Sequence, residues 1–247
     1  MSIDIVTHCW SGDDVPIYHH LLRMQISSLI LNPPKTKTTY IVFMTEDDNR
    51  TVSVVADMFG TMTRCSPVKW RPAAIPAENL FRRSIMRHSA AEKSTSDVVW
   101  FTDVDYLFGE GVVDAAEREC LASEHPLVFP ETVWTNRVHQ DGNKLIEQTK
   151  QCRGLRVVDE TQFIPTSYKM AIGGIQIAKG DFCREHGYCN RRIGLKPVDS
   201  KDGFRKCRGD SSFRRLAGTS EPRCIERAYR IRHSRCGRDK GTVDHSC

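Results

Sequence analysis

Two carboxylates one residue apart, Asp103 and Asp105, interrupt an otherwise apolar run: Val98-Val99-Trp100-Phe101-Thr102-Asp103-Val104-Asp105-Tyr106-Leu107-Phe108. The apolar part is too short for a core helix and rich in β-branched and aromatic residues, so it reads as a buried strand. A buried strand that ends in two like charges needs a compensating partner. A divalent cation is one: hard oxygen ligands at this spacing suit Mg²⁺ or Mn²⁺, and the metal in turn clamps a phosphate. The pair lies mid-chain, so segments before and after it must complete the pocket.

Those segments alternate between two periodicities. Residues 3–6 read as a first strand. Residues 18–31 carry Leu21, Leu22, Met24, Ile26, Leu29 and Ile30 at helical spacing and stop before Asn32-Pro33-Pro34, which terminates a helix. Residues 39–44 form a second strand that runs into Thr45-Glu46-Asp47-Asp48-Asn49, and 51–59 a short helix. Residues 77–93 read as one helix, with Leu80, Phe81, Ile85, Met86 and Ala90 on one face. Beyond the acidic pair, 127–129 is a short strand, 142–154 a polar loop or helix, and 170–178 a strand containing Gly173-Gly174. Those glycines admit a ligand or another backbone, or mark a bulge. Residues 191–209 are polar and irregular, 211–217 a short helix, and the last thirty residues are basic with few core positions. The alternation predicts an α/β fold with a mostly parallel sheet covered by helices on both faces. Ligands of such sheets bind at the carboxyl ends of strands, where the acids at 46–48 and 103–105 fall.

The 247 residues suffice for one α/β domain with a small extension. No apolar stretch is long enough to span a bilayer, and the opening Met1-Ser2-Ile3-Asp4-Ile5-Val6 lacks the basic start of a signal peptide, so a cytoplasmic protein is expected. The ten cysteines are then expected as thiols. Six lie from Cys183 onward, and two His-x-x-Cys pairs, His186 with Cys189 and His233 with Cys236, allow either a structural zinc or scattered buried thiols. Charge is divided unevenly: residues 187–247 hold 16 Lys/Arg against 7 Asp/Glu, and the preceding 186 hold 20 against 24. A basic segment on a faintly acidic body suits a polyanionic partner such as nucleic acid, or several phosphate contacts.

In this order the segments resemble a glycosyltransferase of the GT-A fold, most similar to the family 2 type, over residues 3–233. The matching pieces are the first strand and helix, a second strand ending in acids, a helix bearing arginines, the Asp-x-Asp strand, and then Gly173-Gly174-Ile175-Gln176-Ile177 with Asp181-Phe182 and Gly187-Tyr188. Gly209-Asp210-Ser211-Ser212-Phe213-Arg214-Arg215 stands where the family carries a Glu-Asp pair, with only the Asp retained, and His233 where many members carry a metal-binding His, with His245 as the alternative.

The resemblance implies one catalytic domain over 1–247, its nucleotide-binding half at 1–110 and its acceptor-binding half at 111–247. It implies a nucleotide-diphosphate sugar as donor, UDP-linked rather than GDP-linked, and Mn²⁺ or Mg²⁺ as cofactor. Asp105 would ligate the metal directly, with His233; Asp103 would meet the ribose or a metal-bound water. Thr7, Asp47 and Arg83 would complete the donor site, and Gly173, Gly174 and Trp134 the acceptor site. Of Arg82, Arg83 and Arg87, one is expected on the nucleotide and two in solvent. Asp210 would deprotonate the acceptor hydroxyl in an inverting displacement, although its place before Ser211-Ser212 equally suits a helix cap. The acceptor would be a glycan or a nucleic acid. Two other classes compete. Haloacid-dehalogenase-like phosphatases also end a strand in Asp-x-Asp, but Gly-Thr follows there, and Tyr106-Leu107 follows here. A nucleic-acid-binding module would account for the basic segment and leave Asp103 and Asp105 unexplained.

Overall fold

A computed structural model describes residues 1–13, 16–62, 67–150, 154–189, 196–197 and 209–233, with the side chains of 61–62 and 209–212 outside that description. Parallel strands β1 (Ser2–His8), β2 (Lys37–Met44), β3 (Lys69–Ala74) and β4 (Val98–Thr102) form one half of a seven-stranded sheet. The other half contains β6 (Leu127–Pro130), β9 (Ile175–Lys179) and β10 (Glu221–Arg223). Their spatial order is β10-β6-β9-β4-β1-β2-β3, with β9 antiparallel to both of its neighbours. A second sheet, β5-β11-β7-β8, is built from Tyr106–Phe108, Ala228–Arg230, Thr132–Asn136 and Phe163–Ser167.

The central strands are apolar on both sides because helices cover both faces. Ile3, Ile5, Trp100 and Ile177 point to one core, which α1 (Tyr18–Leu31) and α2 (Asn49–Asp57) close. Val6, Val99, Phe101 and Ala178 point to the other. That side is closed by α4 (Arg83–Lys93), α7 (Gly180–His186) and α8 (Gly209–Leu216), with Phe213 fully buried. Helix α5 (Val112–Ala122) follows β5, and α6 (His139–Lys150) follows β7.

The helix expected over 77–93 is two: α3 (Ala77–Leu80) and α4, parted at Arg82, whose φ −107° and ψ 82° are not helical. Phe81 at the break turns its ring edge-on to Trp10, 5.1 Å away, a tertiary contact that overrides local helix preference. The strand expected over 170–178 begins only at Ile175, so Gly173 and Gly174 lie in the turn before it. The polar stretch at 142–154 is mostly the helix α6. Within the last thirty residues, the described part, 218–233, has Ile225, Ala228, Tyr229 and Ile231 buried, while 234–247 lie outside the described residues. Sequence reading missed β3, α5, β7, β8, α7, β10 and β11; the last two span three residues each, too few to show a period.

Gly142 in α6 links this architecture to the site. A Cβ there would collide with the Arg232 carbonyl oxygen. The same peptide segment is held by Asn136, which accepts from Arg232 N at 2.6 Å and donates to Arg232 O at 2.9 Å. Gly142→Ala gains about 1 kcal/mol of helix propensity but drives a methyl into backbone, an overpacking cost of up to ~3 kcal/mol. The cost wins, so the variant is expected to melt several degrees below the wild type in a calorimetric scan. An unchanged or higher melting temperature would show that the Arg232 backbone yields freely.

Candidate active site

Asp103, Val104 and Asp105 form the turn between β4 and β5, at the carboxyl edge of the parallel sheet, with Tyr106 N donating to Asp103 O at 3.2 Å. Gln25 fixes this turn from α1. Its buried amide Nε2 donates to Asp103 O at 2.9 Å and to Tyr106 O at 2.8 Å, while Tyr40 donates its hydroxyl to Gln25 Oε1 at 2.7 Å. The sequence carries a faint signal of this role: a lone amide inside the apolar stripe of α1.

Both Asp103 oxygens receive arginines from α4. Arg83 Nη1 lies 3.2 Å from each, and Arg87 Nη2 lies 2.8 Å from Oδ1. Arg87 is wholly buried; it also donates to Gly173 O at 2.5 Å, Thr102 O at 3.2 Å and the Tyr188 hydroxyl at 3.0 Å. Four residues apart, the two arginines share a helix face. Neither of them is a solvated side chain, contrary to the sequence expectation for two of the three arginines. Burial pushes the Asp103 carboxyl up, but Arg83 and Arg87 outweigh it and hold the group well below the usual carboxylate range.

Asp105 is bound from the far end of the chain. Arg230 Nε donates to its Oδ2 at 3.0 Å, and Ile231 N donates to its backbone oxygen at 2.8 Å. The Arg230 guanidinium lies 5.1 Å over the Tyr106 ring, with the Tyr168 hydroxyl 3.4 Å from Nη1. Asp105 Oδ1 is buried and has no hydrogen-bond partner among the described residues. Burial raises the Asp105 pKa; Arg230 opposes the rise and the charge of Asp103 adds to it. His233 acts on Asp105 electrostatically and packs edge-on against Tyr18, 5.9 Å between rings.

The remaining expected residues are dispersed. Thr7 is buried at the end of β1, and strand alternation turns it to the face opposite His8, with Oγ1 lacking a hydrogen-bond partner among the described residues. His8, which sequence reading passed over, is the β1 residue whose charge environment is set by Asp103, Arg87 and Arg83. Asp47 is an exposed turn residue. The buried acid beside it, Asp48, caps α2 by accepting from Thr51 N at 3.1 Å and also accepts from Ser11 N at 2.6 Å. Gly173 lends its carbonyl to Arg87, and Gly174 makes room for the Tyr106 ring, where a Cβ would collide.

Trp134 lies in β7, opposite Tyr229. Arg230, the next residue along β11, faces Asp105, so by strand alternation Trp134 and Tyr229 face away from it. Trp134 instead lines a cleft of about 580 Å³ together with Glu131, Glu160, Glu226 and Tyr229. Asp210 lies at the start of α8 with its side chain outside the described residues, and Cys207, Cys236, Cys247 and His245 also lie outside them. Cys9, Cys120 and Cys183 are each buried as free thiols, and Cys189 is buried as well. Among the described residues, no three His, Cys, Asp or Glu side chains cluster as a ready-made metal cage, and no helix is long and apolar enough to cross a membrane.

The sequence matches no known family profile and no curated protein. The structure is similar to those of two glycosyltransferases. Staphylococcus aureus TarS (residues 1–349), in complex with UDP-GlcNAc, superposes over 98% of this chain and 62% of its own, with TM-score 0.56 and 11% identity. Another structure of TarS (residues 1–349) gives TM-score 0.56 over 94% of this chain at 10% identity. The mannosyltransferase PcManGT of Pyrobaculum calidifontis, in complex with GDP-Man and Mn²⁺, superposes over 93% of this chain and 56% of its own, with TM-score 0.51 and 13% identity. The protein therefore has the GT-A fold. The chain spans about 60% of the length of the TarS chain.

The site sets a pH limit. Burial, with Arg87 and Arg83 adding to it against the pull of Asp103, lowers the His8 pKa from 6.5 to about 3. The folded protein keeps His8 neutral while the unfolded chain takes up its proton below pH 6.5. Its share of the stability is therefore intact above that value and falls as the pH drops from 6.5 toward 3, by up to about 1.4 kcal/mol per unit. Urea midpoints at pH 7.5 and pH 5 are expected to differ less in His8→Asn than in the wild type. An equal difference would place the acid sensitivity elsewhere, for instance at His19 and His20, which burial also lowers to about 4.

Proposed function

We propose that the protein is a metal-dependent glycosyltransferase that moves a sugar from a nucleotide-diphosphate donor to an acceptor hydroxyl, within one catalytic domain spanning 1–247. The observation that carries this reading is the acidic pair at the carboxyl edge of a GT-A sheet, flanked by the guanidinium groups of Arg83, Arg87 and Arg230. The complexes of the two similar proteins with UDP-GlcNAc and with GDP-Man and Mn²⁺ support it.

Asp105 fits a divalent cation: one of its oxygens is buried without a protein donor, and burial disfavours its lone charge. Asp105 and His233 would hold Mn²⁺ or Mg²⁺, which when bound supplies Lewis-acid neutralisation of charge on the diphosphate. Arg83 and Arg87 supply fixed positive charge near where the leaving group gains negative charge, a preorganised stabilisation of the transition state. Asp103, locked by two of them, is a rigid acceptor for a ribose hydroxyl or a metal-bound water. Thr7 and the exposed Asp47 border the nucleotide, which we take to be UDP rather than GDP, and the turn at Gly173 and Gly174 borders the acceptor. Asp210 removes the acceptor proton, with inversion at the sugar carbon.

The acceptor is a glycan or a nucleic acid. In the Trp134 cleft, the carboxylates of Glu131, Glu160 and Glu226 disfavour a polyanion, so a nucleic-acid acceptor would have to lie elsewhere. The phosphatase alternative requires an uncommitted Asp103 oxygen as nucleophile, whereas both are engaged by arginine. Cytoplasmic location remains part of the proposal.

The test is a thermal-shift panel of UDP- and GDP-sugars with Mn²⁺ and with EDTA. A donor at a hundred times its Kd adds about 2.7 kcal/mol, a rise of several degrees for a chain of this size. One nucleotide class is expected to give that rise only with metal, and Asp105→Ala to abolish it together with sugar transfer. A rise that survives in EDTA would remove the metal from the mechanism; none with any donor would remove the transferase.

A further inference from the structure

Arg230 occupies a position at odds with simple metal binding. Its Nε holds Asp105 Oδ2 at 3.0 Å, while Oδ1 of the same carboxylate is buried without a hydrogen-bond partner among the described residues. A divalent cation on Oδ1 would therefore lie only a few ångströms from a guanidinium bonded to the other oxygen, and the two cations would repel each other. Nor is the guanidinium locked in place. Its side chain is 32% exposed, and its other contacts are the Tyr106 ring face at 5.1 Å and the Tyr168 hydroxyl at 3.4 Å. Arg87, by contrast, is 0% exposed and has four acceptors. The long side chain of Arg230 starts from β11, at the mouth of the site, and can exchange one anion for another within reach.

We propose that Arg230 is the resident counter-cation of Asp105 and couples metal binding to donor binding: the divalent cation binds tightly only together with a nucleoside diphosphate, whose phosphates take the guanidinium in exchange for the carboxylate. This rests on the donor site proposed above and adds the order in which it assembles. Without the diphosphate, Arg230 satisfies Asp105 and opposes the metal. With it, two added negative charges pair with both cations, so each ligand strengthens the other by the same factor. Arg83 and Arg87 cannot substitute for Arg230, because both are committed to Asp103.

The experiment is isothermal titration of Mn²⁺ into the protein alone and into the protein saturated with UDP, for the wild type, Arg230→Met, Arg230→Gln and Arg230→Lys. Two neutral variants guard against one failing to fold, which near-ultraviolet circular dichroism reports. In the wild type, UDP is expected to tighten Mn²⁺ binding at least about tenfold. In either neutral variant, Mn²⁺ alone should bind about tenfold more tightly than to the wild type and the UDP effect should shrink severalfold, because a repelling charge has gone. Arg230→Lys, which keeps the charge, should behave like the wild type. Neutral variants that bind Mn²⁺ no better, or keep the full coupling, overturn the proposal while leaving the donor site standing. A wild type that binds neither UDP nor GDP, with or without Mn²⁺, overturns the donor site and this inference with it.

Discussion

The site rests on one buried ion pair. Arg87 lies fully inside the protein at the junction of α4, β4 and the turn before β9, and its charge is matched by Asp103. A buried guanidinium is tolerated only when its charge is matched and hydrogen-bonded, and here the carboxylate, two backbone carbonyls and the Tyr188 hydroxyl engage both terminal nitrogens. Each of these acceptors has its own constraint. Tyr188 donates its hydroxyl hydrogen to Gln176 Oε1 at 2.5 Å and stacks on Phe213, 4.6 Å between rings. Gly173 precedes a glycine that must stay small for Tyr106. Anchoring one charge therefore fixes the turn at 103–105, the approach to β9 and the seat of α8 together, so the pair is the joint between core packing and chemistry.

Asp103 and Asp105 are only two residues apart, yet the fold gives them different electrostatic roles. The first carries two arginines and keeps its charge against burial; the second carries one and has an oxygen to spare. The difference follows from which elements reach each carboxylate. Helix α4 presents Arg83 and Arg87 on one face to Asp103, while Asp105 meets a segment that closes the second sheet more than a hundred residues later. One acid is thereby held on both oxygens by arginine, and the other keeps one oxygen without a protein donor among the described residues.

The sequence announced part of this design. An apolar run ending in paired acids signals a strand carboxyl edge with unmet charge, and the helical stripe of α1 and the alternation of strands and helices gave the sheet its class. Arg83 and Arg87 were visible as arginines at helical spacing, but nothing local distinguishes a buried guanidinium from a solvated one. That depends on Gly173 and Tyr188, 86 and 101 residues away. Arg230 was hidden for the same reason, and its basic surroundings made it look like surface. Asp47 drew attention as an exposed acid, while its neighbour Asp48 performs the capping, because burial and not residue type decides between them. Trp134 was misplaced because β7, Thr132-Val133-Trp134-Thr135-Asn136, does not alternate cleanly and β11 has only three residues, and without the period the face of the tryptophan is undetermined.

The charge balance of the assembled site also bears on why a basic site tolerates a neutral histidine at its centre. Around the turn, Arg83, Arg87 and Arg230 face Asp103 and Asp105, an excess of one positive charge. A protonated His8 would add a second to a region that burial already makes hostile to charge, which is why its proton is expelled at neutral pH. A site with a single surplus positive charge and one uncommitted carboxylate oxygen attracts a dianion only weakly and a lone divalent cation hardly at all. The two together nearly cancel each other's charge, and the protein's arginines and carboxylates then pair with both. On the proposed function, selectivity for the metal–diphosphate ensemble over either component would arise from this near-neutral balance rather than from any single strong contact.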